Sequence, residues 1–278
     1  MKNLNALTSV LILACFVCLS SCFGPGPSPK KLRIKTFEWD NILYRAQYDT
    51  YGTLTKLKGT DRDIDFRYDE NYKLYEATIT RTGQPTPDWR YAFTQGVWGI
   101  TEVDTYAMGD PEPSVNLMNY LTPTKLSSLT EFVGFELDRK FTYDGNNVAR
   151  VYVVPPFTEY TASVYDHKSN PFMMLAESVN NPPFFPVGLI VNYPVVDYDI
   201  PLISLFSQNN PVNAVYQIEN APITKITQVF TYTYEGNLVK KIVWSSSDTY
   251  PETPTETRTF KFDYEWARCL PREHHGHE

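Results

Sequence analysis

Polar and apolar residues alternate in short runs along most of this chain. Thr259-Phe260-Lys261-Phe262-Asp263-Tyr264 sets three rings on one face and three polar side chains on the other. Phe230, Tyr232 and Tyr234 alternate with Thr231 and Thr233, and the pairs Phe66/Tyr68 and Phe141/Tyr143 repeat the step. A period of two belongs to a half-buried strand. No window sustains a helical period, and 21 prolines and 13 glycines cut the chain into short pieces. The pattern predicts an all-β protein, an antiparallel meander of hairpins forming a large curved sheet or an open barrel-like sheet, with short helices in loops.

The reversals between these runs share a chemistry. Tyr48-Asp49-Thr50-Tyr51-Gly52-Thr53-Leu54 is followed twenty residues later by Tyr68-Asp69-Glu70-Asn71-Tyr72-Lys73-Leu74. Tyr143-Asp144-Gly145-Asn146-Asn147-Val148 and Tyr234-Glu235-Gly236-Asn237-Leu238 are a third and fourth copy. Asp, Asn and Gly supply the positive φ angles and side-chain-to-backbone bonds that reverse a strand. The tyrosine at the strand end can lay its ring across the neighbouring strand. These copies resemble YD repeats, the tyrosine-aspartate hairpin units of wound β-sheet proteins. Copy two lacks the turn glycine, copy four has Glu for Asp, and the irregular spacing argues against a long regular array.

Two further blocks stand apart, Tyr165-Asp166-His167-Lys168-Ser169-Asn170-Pro171-Phe172 and Ser207-Gln208-Asn209-Asn210-Pro211-Val212. With their flanking hairpins they resemble a group of lipoproteins from Bacteroidota-type bacteria, over roughly residues 140 to 264. That resemblance implies an envelope location and an all-β domain, and it implies no activity. Physically the blocks read as the two ends of one long excursion between strands, opened by the turn initiators Asn170-Pro171 and Asn210-Pro211. Phe172 to Val179 is expected to form a short helix, and the apolar run 183–196 to cover one end or face of the sheet. Residues 81–135 fall outside the resemblance. There TGQPTP and GDPEPS mark loops, and Ser114 to Leu121 is expected as a short helix capped by Ser114.

The chain begins with one positive charge at Lys2, then an apolar run from Ala6 to Leu19 ending in Leu19-Ser20-Ser21-Cys22. The run is too short to span a bilayer and has the length of a signal-peptide core. The ending resembles the bacterial lipobox, which implies cleavage before Cys22 and acylation of its sulfur, with palmitate-type chains. Several acyl chains on one residue exceed the two-signal requirement for stable anchoring. Phe23, rather than Asp, follows the cysteine, which in that class favours the outer membrane. The expected organisation is a lipoprotein signal peptide over 1–21, an anchor and Pro/Gly spacer over 22–31, one all-β domain over 32–268, and a disordered His-rich tail over 269–278.

Lys2 is the only charge in residues 1–21, so 24 basic against 32 acidic side chains leave the mature chain at −8. That balance excludes nucleic acid as a partner, which needs clustered cations. Cys15 and Cys18 leave with the signal peptide, so Cys269 is the one thiol left in the domain besides Cys22, and no internal disulfide can form. Asp61, Asp63 and Asp65 alternate as calcium-loop acids do, but Phe66 stands where that loop needs Gly and Tyr72 where it needs Glu. His167 reads as a solvated loop residue, and the tail histidines as a weak metal binder at most. No catalytic fingerprint occurs. The expected function is therefore a membrane-anchored, non-enzymatic binding or interaction module for a glycan or an envelope protein, with no catalytic, cofactor or metal residues. An envelope hydrolase with paired carboxylates and a structural scaffold are the alternatives.

Overall fold

In the computed structural model, residues 30–39, 41–109, 112–132, 136–154, 158–181, 202–218, 225–248 and 256–270 are described. Sixteen strands follow in chain order. They are β1 (Lys30–Trp39), β2 (Ile42–Tyr48), β3 (Leu54–Lys58), β4 (Arg62–Tyr68), β5 (Leu74–Arg81), β6 (Trp89–Gln95), β7 (Ile100–Ala107) and β8 (Ser114–Thr122). The second half comprises β9 (Lys125–Phe132), β10 (Glu136–Asp144), β11 (Asn147–Val154), β12 (Thr158–Ser169), β13 (Asn209–Ile218), β14 (Lys225–Glu235), β15 (Leu238–Asp248) and β16 (Glu256–Arg268). Two helices, α1 (Pro171–Ser178) and α2 (Leu202–Phe206), lie between β12 and β13.

Each strand pairs antiparallel with the next, and β1 pairs with β16 from Lys30↔Arg268 to Trp39↔Phe260. The expected meander is therefore present, and it goes further than an open sheet: it closes into a barrel. Closure removes both free edges, the usual liability of a long sheet. Residues 81–135, outside the recognised pattern, supply β6 to β9 in the same series.

One sequence expectation is overturned. Ser114 to Leu121 is strand β8, not a helix, and pairs with β7 and β9 on its two sides. Val115, Met118 and Leu121 look helical at spacing three. The pleat instead divides the segment by twos, with Met118 buried and Leu121 exposed. β7 pairs along residues 114–117 and β9 along 116–122, and this pairing outweighs a weak local preference. The expected helix after Asn170 is present as α1, with the Asn170 side chain accepting from Phe172 N–H at its start.

The core lies inside the barrel. Nearly every strand turns its buried residues to one face, among them Ile34, Phe37, Leu57, Ile64, Phe66, Tyr91, Phe93, Leu129, Phe141, Ile242, Phe260 and Phe262. Two short helices could not cover such a ring from outside, so that face is the inner one. A round barrel of this many strands leaves an open lumen. Here bulky rings and both helices fill it. Phe172 of α1 meets Phe260 and Phe262 edge-on at 5.8 Å and Phe37 at 6.4 Å, and Phe206 of α2 meets Phe141 at 5.0 Å.

The four recognised hairpins are the turns β2–β3, β4–β5, β10–β11 and β14–β15, all at one end of the barrel. Asp49 Oδ1 accepts from the N–H groups of Tyr51 and Thr53, and Asp69 Oδ1 accepts from those of Asn71 and Lys73. Gly52 takes φ +84° in the first turn. Where copy two lacks a glycine, Tyr72 itself adopts φ 58°, and its ring meets Tyr51 edge-on at 5.5 Å. That left-handed position costs a non-glycine roughly 1–2 kcal/mol, which the ring contact helps to offset.

A second bond recurs around this same end. The hydroxyl of Tyr48 donates to Ile34 C=O, Tyr68 to Leu54 C=O, Tyr120 to Ile100 C=O, each at 2.6 Å. Tyr232 donates to Pro211 C=O and Tyr264 to Val239 C=O at 2.7 Å, and Tyr165 donates to Val148 C=O. In β6 the Gln95 amide takes the role, donating to Leu74 C=O at 2.6 Å. In β10 the Tyr143 oxygen instead accepts from Leu126 N–H at 3.1 Å. Every even-numbered strand thus carries in its last part a side chain bonded to the backbone of the strand before it.

These phenols are held protonated by burial. Desolvation pushes Tyr44 and Tyr165 up to about 12, and pushes Tyr48, Tyr120 and Tyr264 higher still. An unfolded phenol ionises near 10. The folded state therefore keeps protons that the unfolded state gives up, so the stabilisation is complete below about pH 10 and is lost as pH rises through about 12. In an alkaline titration, the phenolate absorbance of these buried tyrosines should appear in one step together with loss of the far-ultraviolet sheet signal. Independent ionisation near pH 10 with the sheet intact would contradict this account.

Candidate functional site

The two sequence blocks meet. Asp166, near the end of β12, accepts at Oδ1 from Lys168 N–H (3.0 Å), Asn210 N–H (3.2 Å) and Asn210 Nδ2 (3.1 Å). Its Oδ2 accepts from Asn210 Nδ2 and from the Tyr234 hydroxyl. Lys168 lays its ammonium 3.6 Å from the Tyr234 ring centre. Buried Asn170 donates from Nδ2 to the carbonyls of Ser204 (2.5 Å) and Ser207 (2.9 Å), tying the start of α1 to the end of α2.

The β10–β11 turn joins the same cluster. Asn147 accepts from Asn209 N–H at 2.8 Å and donates to Asn209 Oδ1 at 3.2 Å. Ser207 Oγ accepts from Val148 N–H at 3.0 Å and donates to the Tyr165 oxygen at 3.2 Å. These polar groups are consumed in holding the chain, so the cluster is a clasp rather than a reactive centre. His167, within the block, is exposed.

The geometry of the clasp is that of the simple turns. Asp49 and Asp69 bond the N–H groups two and four residues on. Asp166 bonds the N–H two residues on and then that of Asn210, which stands where the fourth residue would be. Pro211, next in line, offers its carbonyl to Tyr232 as Leu54 offers its own to Tyr68. The excursion is thus an insertion of 40 residues into a turn of the repeated kind. Sequence reasoning read Tyr165-Asp166 as a separate motif because the other half of its turn lies so far along the chain.

Beyond α1 the chain crosses the barrel mouth. Asn180 donates from Nδ2 to Tyr72 C=O at 2.9 Å in the β4–β5 turn, and Asn181 Oδ1 accepts from Ile100 N–H at 3.4 Å beside the β6–β7 turn. The approach is close enough to demand glycine at position 99, since a Cβ there would stand 2.9 Å from both Asn181 Oδ1 and the Tyr120 oxygen. This end of the barrel is therefore covered from within. The apolar run 183–196, expected to cover one end of the sheet, lies outside the described residues. So do Cys22, the spacer up to residue 29 and the tail histidines.

The outer wall carries the charges. Arg33 pairs with Glu265, Glu38 with Lys261, Lys56 with Asp63 and Asp65, Arg67 and Arg90 with Glu76, and Lys240 with Asp263. Each pair crosses between neighbouring strands. Asp63 and Asp65 thus sit on the outer face of β4 with Lys56, and Asp61 pairs with Arg62 in the turn before it. Among the described residues no group of three or more His, Cys, Asp or Glu could hold a metal ion. Cys269 is half-buried, its Sγ 2.6 Å from where a Cβ on Gly52 would stand. Inside the barrel, Arg139 and Glu131 form a buried ion pair that sequence reasoning did not anticipate.

The fold is that of porin-like barrels. A porin-like protein from Bacteroides uniformis matches with a TM-score of 0.52 at 15% identity, covering 86% of this chain and 96% of that one. One from Bacteroides vulgatus matches with a TM-score of 0.51 at 13% identity, covering 84% and 99%. No protein-family model and no curated protein matches the chain. The likeness concerns the course of the backbone. A lipid-spanning barrel carries an apolar band outside and a polar lumen, and an Arg or Lys at mid-depth on its outer face costs about 2–4 kcal/mol. This barrel has the reverse polarity.

Replacing Asp166 with Ala removes the acceptor that closes the split turn. The expected loss is roughly 2–4 kcal/mol, read as a lowered urea midpoint. Asp49→Ala, in an uninterrupted turn, should cost about 1 kcal/mol. Equal losses would show that Asp166 does no more than cap its own turn.

Proposed function

We propose that the chain is a lipoprotein of the bacterial outer membrane, held by acyl chains on Cys22, whose barrel stands in water as a non-enzymatic interaction module. The observation that carries this reading is the polarity of the barrel. A charged wall around a filled apolar interior suits water, so a membrane location requires an anchor outside the sheet. Leu19-Ser20-Ser21-Cys22 supplies one, eight residues before β1 begins at Lys30. Phe23 in place of Asp favours the outer over the inner membrane.

Two alternatives lose ground on the same geometry. A pore needs an open polar lumen, whereas Phe172, Leu175, Leu205 and Phe206 are buried inside at 3% exposure or less. A hydrolase with paired carboxylates needs acids converging in one cleft. The acids of the outer wall are dispersed and matched to cations, and Asp49, Asp69 and Asp166 are taken up by turn N–H groups. The aromatic wealth that first suggested glycan binding is largely spent on the core. The exposed tryptophans among the described residues are Trp98 and Trp266. A glycan or protein partner would therefore be read by the ends of the barrel rather than by its wall.

The anchor is tested by growing cells on an alkyne analogue of palmitate. The wild-type chain should take up the label and sediment with membranes. Cys22→Ala should carry no label and appear in the soluble fraction. Label and sedimentation unchanged in Cys22→Ala would refute the anchor.

A further inference from the structure

We infer that the end of the barrel bearing the repeated turns rests on the bilayer surface, with Trp98 and Trp266 seated among the lipid headgroups. This rests on the lipoprotein reading above and adds to it an orientation and a contact surface.

The first observation is where the tether enters. β1 begins at Lys30, opposite Arg268, at the same end as the β2–β3, β4–β5, β6–β7 and β8–β9 turns. From Cys22 to Lys30 the chain makes eight steps, which at full extension reach about 28 Å. That is about the length of an eight- or nine-residue strand. The turn end is thereby held near the headgroups.

The second observation is the distribution of exposed apolar side chains. Val97 is 95% exposed and Trp98 44% at the tip of the β6–β7 turn, where a tight hairpin ordinarily carries polar residues. Tyr75 stands at the start of β5, Leu121 near the end of β8, Trp266 near the end of β16 and Leu270 just past it, all at this end and all exposed. The Tyr51–Tyr72 ring pair lies between these groups. At the opposite end the exposed large apolar residues among those described are Met108 and Phe132, and Val164 and Val229 stand on the wall between the two ends. Trp266 is the most exposed described tryptophan, and it faces Leu32, two rungs from the start of β1.

These residues form an arc from β16 through β1 to β9. Asp69 and Glu70 interrupt it at one turn, and the far half of the rim carries Asp144, His167 and Glu235 instead. The contact is therefore one-sided, and the barrel meets the surface at a tilt. Tryptophan suits such a place, because its ring is apolar and its N–H finds a partner at the headgroup level. Exposed Lys30, Lys31 and Arg268 beside Trp266 add a local attraction to anionic lipid that salt screens, while the tryptophan contact itself is apolar and should persist in salt.

The test uses the full lipidated chain in vesicles of phosphatidylethanolamine and phosphatidylglycerol with brominated acyl chains, which quench nearby tryptophans. The wild type should be quenched, and Trp98→Phe and Trp266→Phe should each lose part of that quenching. The double variant, with its inner tryptophans retained, should lose nearly all of it while still floating with the vesicles. Chains that float while Trp98 and Trp266 stay open to aqueous acrylamide and unquenched by lipid would overturn the docking and leave the anchor standing. Quenching undiminished in the double variant would also overturn it. Absence of acyl mass on Cys22 would overturn the anchor and the docking together.

Discussion

A sheet that closes on itself has no edge to protect, but it acquires an inside that must be filled. Sixteen strands enclose more space than their own side chains can occupy if the section is round. This chain meets the constraint with phenylalanine and tyrosine on the inner face and with α1 and α2 fed in from one end. Phe172 is the meeting point, edge-on to rings from both β1 and β16, the two strands whose pairing closes the barrel. The interaction that closes the sheet and the one that fills it therefore share residues.

With the apolar groups committed inward, the outer wall is left to charge. Its ion pairs are half-buried to exposed, and pairs reached by water are each worth little, typically under about 1 kcal/mol. Their importance is in what they exclude. Lys56 and Lys261, which stand mid-strand on the outer face, are ill suited to hydrocarbon, and this supports the water-facing body proposed above.

The strands were legible because their alternation is strong: Phe260, Phe262 and Tyr264 lie on the inner face where a period of two puts them. The turns were legible because Asp49 and Asp69 do the local bonding their type and position suggest. Closure was not legible, since nothing in Lys30–Trp39 names β16 as its partner, 220 or more residues away. Nor was β8, whose Val115, Met118 and Leu121 fit a helix as well as a strand until β7 and β9 supply partners. The tyrosine-to-carbonyl bonds were only half visible. The sequence shows that the ring lies at the strand end, but the carbonyl belongs to a neighbour that pairing must first bring close. Gln95 hid the sixth strand's version because it does the work of the hydroxyl with a different side chain.

The split turn explains where the filling could enter. In every other even-numbered strand followed by a tight turn, the tyrosine or its substitute binds back to the strand before, and the next strand starts within a few residues. An insertion there would ordinarily break the ring of bonds. Asp166 prevents this by gripping Lys168 on one side and Asn210 on the other, so that Tyr165 and Pro211 keep the places that Tyr68 and Leu74 hold in an uninterrupted hairpin. Asn170 then fastens α1 to α2 just inside. The local turn geometry is kept while 40 residues leave and return through it. The turn that carries α1 and α2 therefore pairs Tyr165 with Pro211 as an uninterrupted turn pairs Tyr68 with Leu74.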